Sequence, residues 1–398
     1  MFKKFFKCFI LMLAAYIFLM IAVFTIPNKY LEQNVRESIS LINDEGLYPE
    51  LVKNDKGSKL DNFTDRLMLE KSVKDVNNPI KAAMSINGYS RYWHGYQILL
   101  RPILIFIGYG NIRQLYGLLI TILIGLNFFL LVKRLDVFMA LAFIISLYFV
   151  RFYTFFLSMQ FANVFIIMLL FNMYLLTRKA EVLKRNFFLS FFIVGSLTNF
   201  IDLLTVPMIT LGVPLVILFY FKISNSKKME VLSISNLLEI LFTSVFWGIG
   251  YGVTWFSKWC VATSILRKNV ISDALNKALF RTEGNKDYPL NRSEMLHNNI
   301  GLIIDKFWLI LFALFVIMVV LMVIYKKDVS KKYFNINSTY LIVIASFPYI
   351  WYMILANHSQ IHYWFTYRLQ VVSIFAILSF LSYIMRILVL PEKRGFSI

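Results

Sequence analysis

The sequence predicts an all-α polytopic membrane protein of about ten transmembrane helices, and three observations predict it. Of 398 residues, 59% are hydrophobic and only 16% charged, too little polar surface for a soluble domain. Apolar runs of membrane-crossing length recur from end to end, and mean hydropathy is +0.67. Short Lys/Arg clusters separate alternate runs, the signature of cytoplasmic loops. The formal charge of +19 is spread over those clusters rather than gathered on one groove-reading face. That pattern argues against nucleic acid and for the lipid bilayer as the partner.

Lys3, Lys4 and Lys7 precede the first run, 8–26, about 19 residues and so long enough to cross the hydrocarbon. It ends at Phe24-Thr25-Ile26-Pro27 without a small-residue cleavage site. It reads as a retained anchor with a cytoplasmic N-terminus. Residues 27–97 form a first extracytoplasmic loop, helical over 32–40, with turns at Asp44-Glu45-Gly46 and Asn54-Asp55-Lys56-Gly57. The apolar piece within 98–110 is too short to span and is broken by Arg101-Pro102, which predicts an interfacial or re-entrant helix.

Further spans fall at 112–132, 137–156, 161–176, 187–200, 207–221, 237–255, 307–325, 340–356 and 365–388, with a second large extracytoplasmic loop at 257–305. Cytoplasmic loops are marked by Lys133 and Arg134; by Arg178, Lys179, Lys184 and Arg185; by Lys222, Lys227 and Lys228; by Lys326, Lys327, Lys331 and Lys332; and by Lys393 and Arg394. Both termini are then expected in the cytoplasm. Cys8 and Cys260 fall on opposite faces and are expected to be free thiols.

Charge inside a membrane is costly, so its placement is informative. Arg101, Arg151, Asp202 and Arg368 all fall near the outer ends of their helices, and His94, His297, His358 and His362 share that side. Arg151 suits snorkelling as well as phosphate binding, and Asp202 suits a turn cap as well as a ligand. In the stretch 357–368, His358 and His362 are four apart and share a helix face, but no third ligand accompanies them, which argues against a metal. Their better use is as neutral donors or cations toward a phosphate, with Arg368 the favoured cation. Asp61 and Asp65, also four apart, suit either catalysis or a solvated, capped helix start.

A cytoplasmic N-terminus, one helix, a large acidic outer loop containing Asn62-Phe63-Thr64-Asp65, an interfacial piece and a bundle together resemble the GT-C class of membrane glycosyltransferases. The resemblance implies a GT-C-like bundle, a polyprenyl-phosphate-linked sugar donor, and a cell-envelope glycan or lipid acceptor at the outer face. It implies an acidic base in the first outer loop: Asp65 first, Asp61 second, with the pair Asp44-Glu45 as the alternative. A departing lipid phosphate calls for Arg368, Arg101, His358 and His362, or for a divalent cation, with His94, Arg151 and Asp202 nearby. The rivals are a transporter or flippase of a lipid-linked saccharide, which would want charge near the membrane midplane, and a non-catalytic envelope-assembly protein.

Overall fold

The computed structural model describes residues 2–73, 78–225, 234–324 and 339–389. Among them no β-strand forms, only isolated bridges between Glu50 and Lys59 and between Gly284 and Pro289. Helix α1 (Phe2–Phe24) leads into a polar segment holding α2 (Glu32–Glu45), α3 (Asn62–Val73), α4 (Pro79–Ser85) and α5 (Gln97–Ile103). Next come α6 (Tyr109–Arg134), α7 (Val137–Phe149), α8 (Met159–Thr177), α9 (Ala180–Ile201), α10 (Ile209–Asn225) and α11 (Ile234–Leu266). After α12 (Val270–Glu283), α13 (Arg292–Ile324), α14 (Thr339–Ala345) and α15 (Phe347–Ile354), the chain passes through α16 (Ala356–Ile361) and α17 (Tyr363–Thr366) into α18 (Val371–Val389).

Among the described residues, six stretches are long and apolar enough to cross a membrane: α1, α6, α8, α11, the first part of α13, and the run from α17 into α18. The chain is therefore a multi-pass α-helical membrane protein. Shorter apolar helices, namely α7, most of α9, α10 and the α14–α15 pair, occupy the other four predicted segments. Their shortness has local causes. Helix α7 stops before Arg151, which takes a left-handed φ of 54°, and a 3-10 turn over Phe152–Phe156 uses up the rest of segment 137–156. Segment 340–356 divides at Ser346 because Pro348 has no N–H to continue a helix and instead occupies the first turn of α15.

The second predicted loop, 257–305, is largely helical. Helices α11 and α13 are 33 residues each and reach into it from both sides, and α12 fills much of the remainder. Lys258 is fully buried in α11 and donates to the Ala83 and Met84 carbonyls near the end of α4. The predicted helix at 32–40 continues to Glu45, where Gly46 ends it at φ 85°. The short helix expected near Arg101-Pro102 is α5. Lys227, Lys228, Lys326, Lys327, Lys331, Lys332, Lys393 and Arg394 lie outside the described residues. Both cysteines are free.

Helix α8 and the α17–α18 run form the centre: 72% and 78% of their most apolar windows are buried within the protein, against 17% for α1 and 22% for α6. Peripheral helices expose Leu11, Phe18, Leu118, Phe129 and Phe312, an apolar surface suited to lipid. Helices α9 and α11 approach through reciprocal glycines. A Cβ on Gly195 would lie 2.1 Å from the Trp247 carbonyl oxygen, and one on Gly250 2.1 Å from that of Phe192. Small residues let helix backbones meet where apolar transfer gives no drive for association.

Candidate functional site

The polar segment between α1 and α6 folds onto one end of the bundle, where α7, α9 and α11 finish and α8, α10 and α18 begin. Asp65 of α3 shows how. Its Oδ1 accepts from the Gln160 amide at 2.9 Å, and its Oδ2 accepts from the Met159 amide at 3.0 Å and from the Tyr109 hydroxyl. A carboxylate from the polar segment thus satisfies the first amides of the central helix α8, where the helix dipole favours negative charge. Asp65 is fully buried and both its oxygens are occupied. Asp65 thus caps α8, a structural role beside the catalytic one that the sequence suggests for it.

Other predicted phosphate ligands are consumed in the same way. Arg101 donates to the carbonyls of Val23, Ile26 and Ser72 and to Asn28, tying off the exit from α1. Arg151 pairs with Asp55 through Nε at 3.2 Å and Nη2 at 2.9 Å, and both side chains are buried. The pairing forces glycine at position 57, where a Cβ would lie 2.7 Å from the Arg151 Cζ. His94 donates from Nε2 to the Tyr89 carbonyl at 3.1 Å and accepts the Tyr96 hydroxyl at Nδ1, 2.8 Å away. Burial holds it well below the usual imidazole range, so it is neutral. Asp44 is exposed, while Glu45 receives Arg113 at 2.6 Å and Asn62 at 3.0 Å. Burial raises Glu45, but Arg113 and Asn62 outweigh it and leave the carboxyl below its ordinary value.

Asp61 and Arg368 remain, and the Arg368 charge reaches Asp61. Asp61 precedes α3 and accepts the Thr64 amide at 3.0 Å and the Thr64 hydroxyl at 2.8 Å, one per oxygen, which leaves each oxygen lone-pair capacity. Burial, with the nearby Asp65 charge, raises its pKa to about 7 against the opposing pull of Thr64 and Arg368. Arg368 is fully buried and donates to the Trp364 carbonyl, the Gly57 carbonyl and the Thr154 hydroxyl, while its Nε–H has no hydrogen-bond partner. Among the described residues it forms no ion pair within 4 Å of a carboxylate. Asp61 is also within electrostatic reach of Tyr48, which belongs to an aromatic rim. Exposed Tyr48 meets Phe63 at 6.2 Å and Trp364 at 5.4 Å between ring centres, and half-buried Lys59 lies 6.0 Å from the Trp364 ring.

The histidine pair shares a face as spacing predicts, with rings 4.9 Å apart. His358 donates from Nε2 to the Leu204 carbonyl at 2.9 Å and accepts Arg281 at Nδ1, 2.5 Å away. Burial and then the Arg281 charge hold His358 well below the usual range and take His362 to about 4. Neither is a cation at neutral pH. Asp202 accepts the Thr205 amide at 2.9 Å in the turn after α9, and burial raises it to about 6. His297 is exposed on α13. Among the described residues no group of three or more His, Cys, Asp and Glu side chains is placed to hold a metal ion. Sequence reasoning missed Tyr48, Lys59 and Arg113, because nothing in their local pattern marks which loop residues fold back against the bundle. No protein-family model, curated protein or solved structure matches the chain.

Proposed function

We propose that the chain is a GT-C-like glycosyltransferase of a bacterial plasma membrane. It crosses the membrane ten times with both termini in the cytoplasm, and it transfers a sugar from a polyprenyl-phosphate donor to an envelope glycan or lipid. The observation that carries the reading is the buried Asp61 carboxyl, within electrostatic reach of the Arg368 guanidinium and of Tyr48, whose ring meets those of Phe63 and Trp364. In this scheme ionised Asp61 takes the proton from an acceptor hydroxyl. The acceptor oxygen bonds to the anomeric carbon as the bond from that carbon to the phosphate oxygen breaks, and the electron pair leaves with the lipid phosphate. Lys59 at the rim meets the growing phosphate charge, and Arg368 stabilises it from below. The aromatic rim offers flat apolar faces to the sugar ring, and the exposed Tyr48 ring moves aside to admit the acceptor.

Purified protein supplied with labelled polyprenyl-phosphate sugars and candidate acceptors tests the scheme. Wild type consumes one donor of the panel, while Asp61→Asn and Arg368→Gln lose at least about 100-fold in kcat/KM, the usual scale for removing an acid–base or charge-stabilising group. Full activity in Asp61→Asn, or no donor consumed by wild type, sinks the assignment.

A further inference from the structure

The same end of the bundle holds a second convergence of buried polar groups, apart from Asp61. Asn199 belongs to α9, Asp202 and Thr205 follow it, Tyr251 comes from α11, Tyr92 lies between α4 and α5, and Arg281 comes from α12. Asp202, Tyr92, Tyr251 and Arg281 lie within one another's electrostatic reach, and Asn199 neighbours Tyr251. Asp202 Oδ1, Thr205 Oγ1, the Tyr251 hydroxyl and both Asn199 amide atoms make no hydrogen bond of good geometry, although Thr205 lies against Asp202 and Asn199 against Tyr251 in looser contacts. Asn199, Asp202, Thr205 and Tyr251 are 2%, 3%, 1% and 7% exposed, so bulk water does not reach most of these atoms. Leaving buried polar atoms without well-aligned partners is costly, and several in one place call for a partner of matching chemistry.

The donor and acceptor set defines that partner. A carboxylate oxygen accepts, a carboxamide and two hydroxyls both donate and accept, and Arg281 donates. Asp202 and Arg281 form no ion pair with each other, so the local charge is balanced and selects neither an anion nor a cation. Beside these groups the rings of Tyr92 and Trp255 meet at 5.5 Å and those of Tyr251 and Trp255 at 5.9 Å, giving an apolar wall. Vicinal hydroxyls with an apolar C–H face match all of this. We propose that Asn199, Asp202, Thr205 and Tyr251 form a binding site for a neutral saccharide, with half-buried Arg281 at its edge. The Tyr92–Trp255–Tyr251 wall takes the face of the sugar ring, and the site is separate from Asp61 and does not rest on the transfer reaction.

Full-length protein in detergent, titrated with free glucose, galactose and mannose and separately with inorganic phosphate, tests the site by tryptophan fluorescence and calorimetry. At least one sugar binds the wild type and Asp61→Asn alike. Tyr251→Phe, which removes one hydroxyl, and Asp202→Asn each weaken binding about ten-fold or more, the equivalent of one lost hydrogen bond. Tyr251→Phe is the smaller change, and it keeps the test decisive if Asp202→Asn does not fold. Binding of phosphate alone, binding of no sugar, or sugar binding unchanged in Tyr251→Phe overturns the proposal.

Discussion

Two aspartates four residues apart carry opposite assignments because their partners differ. Asp65 holds three donors, of which only the Tyr109 hydroxyl has a second acceptor, the Leu157 carbonyl at 3.1 Å, so Asp65→Ala leaves the Met159 and Gln160 amides unpaired in a buried place. Thermal unfolding of the purified protein should show a loss of several kcal/mol, at about 1–3 kcal/mol per orphaned group. Asp61→Asn, which keeps an oxygen for Thr64, should unfold near the wild-type temperature while losing activity. Asp65→Ala unfolding like wild type would remove the capping role. The Asp61 pKa also has a kinetic sign. Burial raises it to about 7, the base must be ionised, and activity therefore rises with pH through about 7 and falls below it. A rate flat from pH 5 to 8 is incompatible with Asp61 as base. The sequence marked both aspartates by spacing alone. It could not distinguish them, because the atoms that separate their roles, the Met159 and Gln160 amides, lie 94 and 95 residues further along the chain.

At the scale of elements, the α9–α11 contact depends on backbone approach rather than on side-chain bulk. Gly195→Ala puts a methyl group against the Trp247 carbonyl, whereas Gly248→Ala meets nothing within 4 Å. The first should destabilise by about 1–3 kcal/mol, the usual cost of overpacking, and the second should be close to neutral. Equal effects in a denaturation series would show that the helices are held apart. Hydropathy found these helices but not their ends. Helix α11 runs past its apolar stretch because Lys258 is absorbed by carbonyls of α4, and α7 stops early because Arg151 turns away to meet Asp55. Both boundaries are set by tertiary partners that a local window of sequence does not contain. The turn chemistry was legible: Gly46 ends α2 at a positive φ, and residues 54–57 form a tight turn.

For the whole molecule, the membrane class and the order of apolar segments were legible because length and hydropathy alone decide them. The orientation proposed from the basic clusters has a direct check. A cysteine replacing exposed Lys56, in a variant lacking Cys8 and Cys260, should react with an impermeant thiol reagent added outside intact cells. Labelling only after the cytoplasmic side is opened reverses the topology. The convergence of the polar end was only partly legible. Its arginines and histidines were picked out as a group, but most of them brace the polar segment against the bundle, and the groups left near the surface were unmarked.

That bracing has a consequence for how the protein is made. The Gly57 carbonyl accepts from the Tyr367 hydroxyl and the Arg368 guanidinium, partners 310 and 311 residues later in the chain. Chains emerge N-terminus first. The polar segment is therefore synthesised early, gains its first holds from Arg113, Arg151 and the start of α8, and receives the Gly57 clamp only when Tyr367 and Arg368 arrive. The surroundings of Asp61 are thus assembled in stages, and the Arg368 charge reaches Asp61 only in the last of them.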